Sequence, residues 1–265
     1  MQRLQEKTMR TVAEYKSASQ RARVLTESWL PANVSCPACT ARLVQTANNT
    51  KARDFDCSSC GDPFELKSKK SRFANLVADG AYETMIAAIK ANQQPNLFLL
   101  SYRLPFVVTD VSVLPRRFLV EPMIIKRKPL ALTARRAGWI GCNLSLALIP
   151  KSAIIPCMID GVLLSPSLVQ ERWKKTAVLD DLGTAARGWV AITLGIVERI
   201  QKTEFSLSDV YQHEETVARL FPNNRHVRPK LRQQLQVLRD MGLISFLGSG
   251  KYTVRTNDLP MPGNA

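Results

Sequence analysis

Four cysteines stand in two pairs whose spacing is typical of a metal site. Cys36-Pro-Ala-Cys39 is followed, after 17 residues, by Cys57-Ser-Ser-Cys60. Two such pairs can direct four thiolates tetrahedrally at one zinc ion, and four thiolates leave no open position for water. We therefore expect a structural zinc site. The alternative is a disulfide framework, which the even total of six cysteines would also allow.

A second group of chemically capable residues lies between and just beyond these pairs. Ten residues separate Asp54 from the triplet Glu65-Leu66-Lys67. If residues 57–60 form a metal-bound turn, residues 54–56 and 64–67 become the two arms of a β-hairpin. Side chains alternate along a strand, so Glu65 and Lys67 share one face. Carboxylates and a lysine can then converge around a divalent cation, the chemistry of phosphodiester cleavage.

The residues alone leave this catalytic interpretation open. Glu-Leu-Lys occurs by chance on many charged strands, and a solvated strand with a salt bridge would show the same letters. Asp56 adds a carboxylate beside Asp54. It is either a second ligand or a solvated side chain.

The charge balance predicts a polyanionic partner. The chain has 37 Lys and Arg against 22 Asp and Glu, a formal net charge of +15. Such a surface attracts nucleic acid through counterion release, and an anionic membrane surface is the alternative. No apolar run approaches the roughly 18 residues of a spanning helix, and the first residues do not resemble a secretory signal. We expect an intracellular, cytoplasmic protein without a membrane partner.

The first part of the chain predicts an α/β core. Amphipathic helices are expected over Thr11–Trp29, closed by Pro31, and over 75–92. A near-continuous apolar run over Asn96–Tyr102 predicts a central strand buried on both faces. Further strands are expected over 106–114 and 153–159, which together give an α/β architecture.

Residues 115–143 form a long segment rich in proline and arginine, which predicts a functional loop. Arg135 and Arg136 could contact phosphates, and Trp139 on a glycine-flanked turn could meet base edges or wedge a base step. The alternative for Trp139 is a place in the core.

A helical pattern begins near residue 183 and predicts a winged helix-turn-helix. Helices are expected over Arg187–Ile200, from Ser206 to about Leu220, and from Val227 to Gly242. Two short apolar segments flanking Gly248-Ser-Gly250 predict a β-hairpin wing. The polar side of the third helix is expected to contact DNA bases and phosphates. Its residues are Arg225, His226, Arg232, Gln233 and Gln236.

Long stretches of the chain resemble the DpnI family of methyl-directed restriction endonucleases, within the PD-(D/E)xK superfamily. The stretches that carry the resemblance are the two cysteine pairs, 15–23, 25–27, 64–70, 79–82, 127–130, 133–143, 187–189, 232–236 and 238–240. The chain departs from the superfamily pattern at Arg53, which stands where the motif's proline would be.

The resemblance implies a PD-(D/E)xK nuclease domain with a four-cysteine zinc site over residues 1–182. A mainly α winged-helix domain over 183–255 and a disordered tail over 256–265 follow. In that pattern Asp54, Glu65 and Lys67 are catalytic, Asp54, Glu65 and Leu66 hold Mg²⁺, and Zn²⁺ is structural.

The expected activity is hydrolysis of double-stranded DNA at adenine-methylated sites, with G(6mA)TC the leading candidate, by a bacterial protein acting as a monomer. Both domains are expected to contact the methylated site, through Trp139 in the first domain and the third helix in the second. One alternative is a zinc-containing DNA-binding regulator without catalysis. Another is an RNA-processing or repair nuclease with the same core.

Overall fold

A computed structural model describes residues 15–47 and 53–254. These residues form two compact units, each assembled from separate stretches of the chain. The first unit contains the described residues up to Val77, with Ala91–Arg116 and Ile154–Ala177. The second contains Ala78–Lys90, Arg117–Ala153 and the described residues from Val178 onward. The predicted division of the chain at residue 182 stays a prediction.

The described residues form seven α-helices and thirteen strands. The helices are α1 (Ala18–Asn33), α2 (Tyr82–Lys90), α3 (Pro166–Thr176), α4 (Thr184–Ile200), α5 (Leu207–Tyr211), α6 (Glu214–Leu220) and α7 (Val227–Asp240). The strands are β1 (Leu43–Gln45), β2 (Phe55–Cys57), β3 (Pro63–Lys69), β4 (Leu76–Ala81), β5 (Asn96–Arg103), β6 (Val107–Leu114), β7 (Ile124–Lys126), β8 (Gly141–Ser145), β9 (Ile155–Ile159), β10 (Val162–Leu163), β11 (Glu204–Ser206), β12 (Ile244–Gly248) and β13 (Lys251–Val254).

A seven-stranded mixed sheet organises the first unit, in the order β1-β2-β3-β5-β6-β9-β10. Strands β3 and β5 run parallel, with Glu65 opposite Leu97 and Lys67 opposite Leu99. Every residue of β5 except Arg103 is buried. This confirms the predicted central strand, whose apolar side chains fill both faces of the sheet.

Aromatic side chains pack against one another in the core of this unit. Phe64 of β3 is fully buried, 5.1 Å from Phe98 and 6.4 Å from Trp173 of α3 between ring centroids. Trp29 and Leu30 of α1 belong to the same buried cluster. The face of β3 that carries Phe64 is therefore held by packing, and burial of each such side chain contributes about 1.5–3 kcal/mol.

The second unit contains two three-stranded sheets, ordered β4-β8-β7 and β11-β13-β12. Helix α7 buries Leu231, Leu235 and Leu238. It ends at Asp240, and Gly242 follows two residues later with a φ of 74°, which glycine adopts without steric cost. Strands β12 and β13 pair antiparallel as the predicted wing. These elements confirm a mainly helical, helix-turn-helix C-terminal part after a mixed α/β part.

The N-terminal helix differs from its predicted bounds. The start predicted at Thr11 lies outside the described residues, and α1 continues through Pro31 to Asn33. Proline removes a single backbone donor, which a last turn tolerates. Asn33 Nδ2 also donates to the carbonyl of Trp29 at 2.7 Å, so one terminal acceptor remains satisfied.

The predicted helix over 75–92 is wrong in its first half. Residues Leu76–Ala81 form β4, which pairs with β8. Only α2 is helical, and it buries Ile86 and Ile89. Pairing with a strand far along the chain overrides local helical periodicity here.

Segments predicted to be irregular also contain regular structure. The long basic segment contains β7 and the start of β8, paired with Ile125 opposite Asn143. Helix α3 was not predicted, although Ser165 caps it by accepting from the Leu168 amide at 3.3 Å. Pro166 occupies its first position, so a start signal is present in the sequence.

The predicted second helix of the C-terminal part is two helices, α5 and α6. Ser206 and Asp209 form the capping box of α5, as the Ser-Leu-Ser-Asp sequence indicates. The chain then breaks at His213, and Glu214 and Glu215 begin α6, where acidic side chains favour a helix N-terminus. Among the described residues, no helix is both long and apolar enough to cross a bilayer.

Candidate active site and metal centre

Strands β2 and β3 form the hairpin that carries the candidate catalytic residues. Phe55 lies opposite Phe64, and the amide of Asp54 donates to the carbonyl of Phe64 at 2.8 Å. The Asp54 carboxylate turns across to β3, where Oδ2 accepts a hydrogen bond of 2.7 Å from the Leu66 amide. The structure thus holds this carboxylate against the peptide between Glu65 and Leu66.

Glu65 and Lys67 share a face of β3. Lys67 Nζ donates to Glu65 Oε1 at 2.5 Å, and the two side chains are 19% and 16% exposed. Phe64, which directly precedes Glu65, faces the core. Packing on one face of β3 therefore fixes the Glu65 carboxylate and the Lys67 ammonium group on the other face, where both are partly exposed to solvent.

Helix α1 adds two residues that the sequence analysis did not assign to this site. Arg23 Nη2 lies 3.9 Å from Asp54 Oδ1, and Arg23 Nε donates to Glu27 Oε1 at 2.5 Å. Glu27 Oε2 also accepts from Gln45 Nε2 at 3.1 Å. The hydrogen bond and charge of Glu27 raise the pKa of Arg23.

The sequence contains only a weak indication that Arg23 and Glu27 belong to this site. Arg23 and Glu27 are four residues apart on a predicted helix, a common spacing for a solvated ion pair. Only the packing of α1 beside the hairpin brings the pair to Asp54. A third carboxylate and a second cation therefore surround the predicted catalytic residues.

The Asp56 carboxylate pairs with Arg53 and not with the residues of the predicted catalytic motif. Its Oδ1 is 3.5 Å from Arg53 Nη1, and the residue lies opposite Val44 of β1. It is part of β2, next to the hairpin turn, and no contact links its carboxylate to those of Asp54 or Glu65 among the described interactions.

The four paired cysteines form one compact cluster. The Sγ atoms of Cys36, Cys39, Cys57 and Cys60 all lie within 4.8 Å of one another. The separations are 3.7 Å for Cys36 to Cys60 and 3.3 Å for Cys39 to Cys57. Four sulfurs at about 2.3 Å from a central zinc would be about 3.8 Å apart, so these residues fit a tetrahedral ion. The thiols are free of disulfides.

Backbone amides favour the thiolate form of Cys57, whereas burial raises the pKa of Cys36 and raises that of Cys60 to about 11. Burial raises the pKa of Cys57, but this effect is outweighed by hydrogen bonds. The amides of Ser59 and Cys60, at 3.4 and 3.5 Å from Sγ, and the thiols of Cys39 and Cys60 together lower the pKa to about 7. Hydrogen bonds to a charged sulfur favour the form that ligates metal.

The cluster and the carboxylates share the same hairpin. Cys57 is the last residue of β2, and its amide donates to the carbonyl of Asp62 at 3.0 Å. The turn between the strands thus contains Cys57 and Cys60, while its arms carry Asp54 and Glu65. Constraining the turn fixes the register of the arms.

The predicted DNA-contacting residues of the basic segment lie on the loop between β7 and β8. Arg135 and Arg136 are exposed, and Trp139 is partly buried. The guanidinium of Arg136 lies 4.6 Å from the centre of the Trp139 ring. A Cβ on Gly141 would lie 2.8 Å from that ring, so a glycine is required there. Trp139 packs across its own hairpin and stays outside the buried core.

The predicted residues of the third helix are exposed, and two precede it. Arg232, Gln233 and Gln236 lie on the solvent side of α7. Arg225 and His226 stand before it, with His226 at the N-cap position. Gln233 Oε1 accepts from Lys230 Nζ at 2.8 Å.

The sheet and its hairpin define a class of protein. Its members combine an Asp and a Glu-x-Lys sequence on adjacent strands of an α/β sheet with a helix-turn-helix domain. The chain matches the DpnI, Dam-replacing family over residues 5–182 and the Dam-replacing HTH domain over residues 185–254. It therefore belongs to this family of DpnI-like, methyl-directed endonucleases.

Proposed function

We propose that this protein is a Mg²⁺-dependent endonuclease that cleaves double-stranded DNA at adenine-methylated sites, with G(6mA)TC as its preferred site. The observation that carries the proposal is the 2.7 Å hydrogen bond from the Leu66 amide to Asp54 Oδ2. It brings the Asp54 carboxylate, directly before β2, to the strand that carries Glu65 and Lys67. A solvated strand would not require this convergence.

The residues present suit a hard cation. The carboxylates of Asp54 and Glu65, with the main chain of Leu66, would hold Mg²⁺ through oxygen ligands. Bound there, the ion supplies polarisation of the scissile phosphate and a water of lowered pKa. In this proposal Lys67, whose Nζ donates to Glu65, would orient the attacking water and offset charge on the phosphate. The products are a 5′-phosphate and a 3′-hydroxyl.

The four-cysteine cluster holds structural Zn²⁺ in this proposal. Its sulfur separations suit a tetrahedral ion, and four thiolates leave no position for substrate. Residues 1–182 form the catalytic domain and 183–255 the winged-helix domain.

Methyl discrimination is shared by two contacts. Burying one methyl group contributes about 0.8 kcal/mol, about fourfold in affinity, so a single apolar contact discriminates weakly. The partly exposed Trp139 and the exposed polar side of α7 provide two contact surfaces. Two methyl contacts multiply their effects.

Digestion of plasmid from adenine-methylating and non-methylating hosts, with and without Mg²⁺, tests the proposal. Cleavage of the methylated plasmid only, and only with Mg²⁺, is the expected result. Binding without cleavage of either plasmid would instead support a DNA-binding regulator. Equal cleavage of both plasmids would contradict the methyl dependence. A preference for single-stranded substrates would indicate a repair or RNA-processing nuclease.

A further inference from the structure

Leu132 is the most exposed large apolar side chain among those the structure describes. It is 92% exposed, against 67% for Leu104 and for Val162. It lies on the β7–β8 loop, defined here as residues 127–140. A leucine in this position gains nothing from the core, so its apolar surface is available to a partner.

The loop presents Leu132 through a defined backbone. The amide of Leu130 donates to the carbonyl of Trp139 at 3.0 Å, and the amide of Gly138 donates to the carbonyl of Leu130 at 3.1 Å. Between the residues that these two hydrogen bonds join, the Ala134 amide donates to the carbonyl of Ala131 at 2.9 Å. This hydrogen bond closes a turn that has Leu132 and Thr133 at its corners.

The charge around the turn identifies the partner. Residues 127–140 include four cations, at Arg127, Lys128, Arg135 and Arg136, and no acidic residue. All four cations are exposed. An exposed leucine on a basic loop complements a groove of DNA, since cations can contact the phosphates along its edges while the apolar side chain enters.

We propose that Leu132 enters a groove of duplex DNA and is buried there against sugars and base edges. This inference rests on the proposed function and adds a residue that neither the charge pattern nor the catalytic site identifies. Arg135 and Arg136 hold the phosphates on either side. Leu132 contributes apolar contact, which is independent of salt.

Binding of the full-length protein to a duplex with one G(6mA)TC site, without Mg²⁺, tests the proposal over a series of salt concentrations. Leu132→Ala should weaken binding about tenfold at every concentration and leave the salt slope unchanged, because the removed atoms lose burial and no counterion is involved. Arg136→Ala should weaken binding and lower the slope by about 0.9. Leu104→Ala, the same change at another exposed leucine, should bind as wild type.

The outcomes separate this inference from the proposed function. A wild-type protein that neither binds nor cleaves the duplex would overturn the proposed function. A wild-type protein that does both, with Leu132→Ala binding equally well, would overturn only the role of Leu132. Leu132→Met, which keeps the apolar bulk, should retain most of the affinity. Equal loss in Leu132→Met and Leu132→Ala would also contradict burial in a groove.

Discussion

At the scale of single residues, the site depends on a few charged atoms on one hairpin. Asp54 is directed at β3 by the Leu66 amide, and Lys67 is directed at Glu65. These hydrogen bonds distinguish the residues of the predicted catalytic motif from Asp56, which is close to them in sequence only. Asp56, two positions from Asp54, pairs with Arg53 instead.

Asp54→Asn should abolish cleavage and spare DNA binding, because a neutral amide is a poor ligand for the cation while the folded hairpin persists. We expect cleavage to fall by about 10³-fold or more, the scale of losing a group that stabilises transition-state charge. Single-turnover cleavage of methylated plasmid and binding to a short duplex measure the two effects.

Asp56→Asn is the matched control for this experiment, since it makes the same change two residues away on the same arm of the hairpin. It should retain cleavage within a few fold of wild type. If both variants lose cleavage equally, or if Asp54→Asn keeps near-normal turnover, the site has been misplaced.

At the scale of elements, α1 and the cysteine cluster position the hairpin residues. The Arg23 guanidinium lies between Glu27 and Asp54, so Glu27 limits how closely that cation pairs with the catalytic carboxylate. The cysteines constrain the turn. In the proposed function, each element would affect the reaction through the geometry of Asp54 and Glu65.

Glu27→Gln should lower cleavage about tenfold at limiting Mg²⁺, since an Arg23 released from its partner pairs with Asp54 and competes with the metal. The loss should shrink as the Mg²⁺ concentration rises. Titration of cleavage with Mg²⁺ measures this. Glu171→Gln, which breaks another ion pair of this spacing in α3, should not change the Mg²⁺ dependence.

Removal of zinc should destroy cleavage through structure, even with Mg²⁺ in excess. Cys57→Ser should lose bound zinc and lower the Tm by about 10 °C or more, because metal binding is coupled to folding. Zinc content, thermal unfolding and plasmid cleavage measure the three effects. Cys142→Ser, at a buried cysteine outside the cluster, should keep its zinc; zinc lost equally in both would contradict the assignment.

His213, at the junction of α5 and α6, should make the stability of the C-terminal helices pH-dependent. Burial, with a smaller contribution from Arg199, lowers its pKa below the usual 6.5. The stabilising effect of the neutral ring is complete above pH 6.5 and is lost as pH falls through the lowered pKa, because the unfolded chain binds the proton first.

Thermal unfolding of wild type and His213→Gln between pH 7.5 and 5.5 checks this expectation. The variant should show a smaller decrease in Tm across the range. His226→Gln changes the other of the two histidines and is the matched control. A decrease reduced equally by both substitutions would contradict a specific role for His213.

At the scale of the whole molecule, the proposed methyl specificity depends on surfaces from separate parts of the sequence. The β7–β8 loop carries Trp139 and an arginine pair, and α7 carries exposed glutamines and an arginine. Because a net charge of +15 attracts DNA of any sequence, the proposed function assigns discrimination to these contacts.

Trp139→Ala and Gln233→Ala should each lower the ratio of affinities for methylated and unmethylated duplex several-fold. The double variant should lower the ratio by the product of the two effects, because independent contacts add in free energy. Competition binding with the two duplexes measures the ratio. If either single variant already abolished all discrimination, the methyl group would be recognised by one surface.

The sequence alone determined the features that depend on local spacing. The cysteine pairs, the hairpin arms, the buried strand β5, the capping box at Ser206 and the stripe of α7 each follow from periodicity, ligand spacing or turn chemistry within a short window. The resemblance to a family added the expected role of Asp54, Glu65 and Lys67.

Only the tertiary structure decided what depends on packing between distant segments. It converted residues 76–81 into a strand, added β11 to the wing through pairing with β13, and brought Arg23 and Glu27 of α1 to Asp54. It also exposes Leu132 to solvent, on a turn that backbone hydrogen bonds hold in place. Local patterns carry no information about which distant partner will fill a face or pair with an edge, so these features emerge only when the chain is folded.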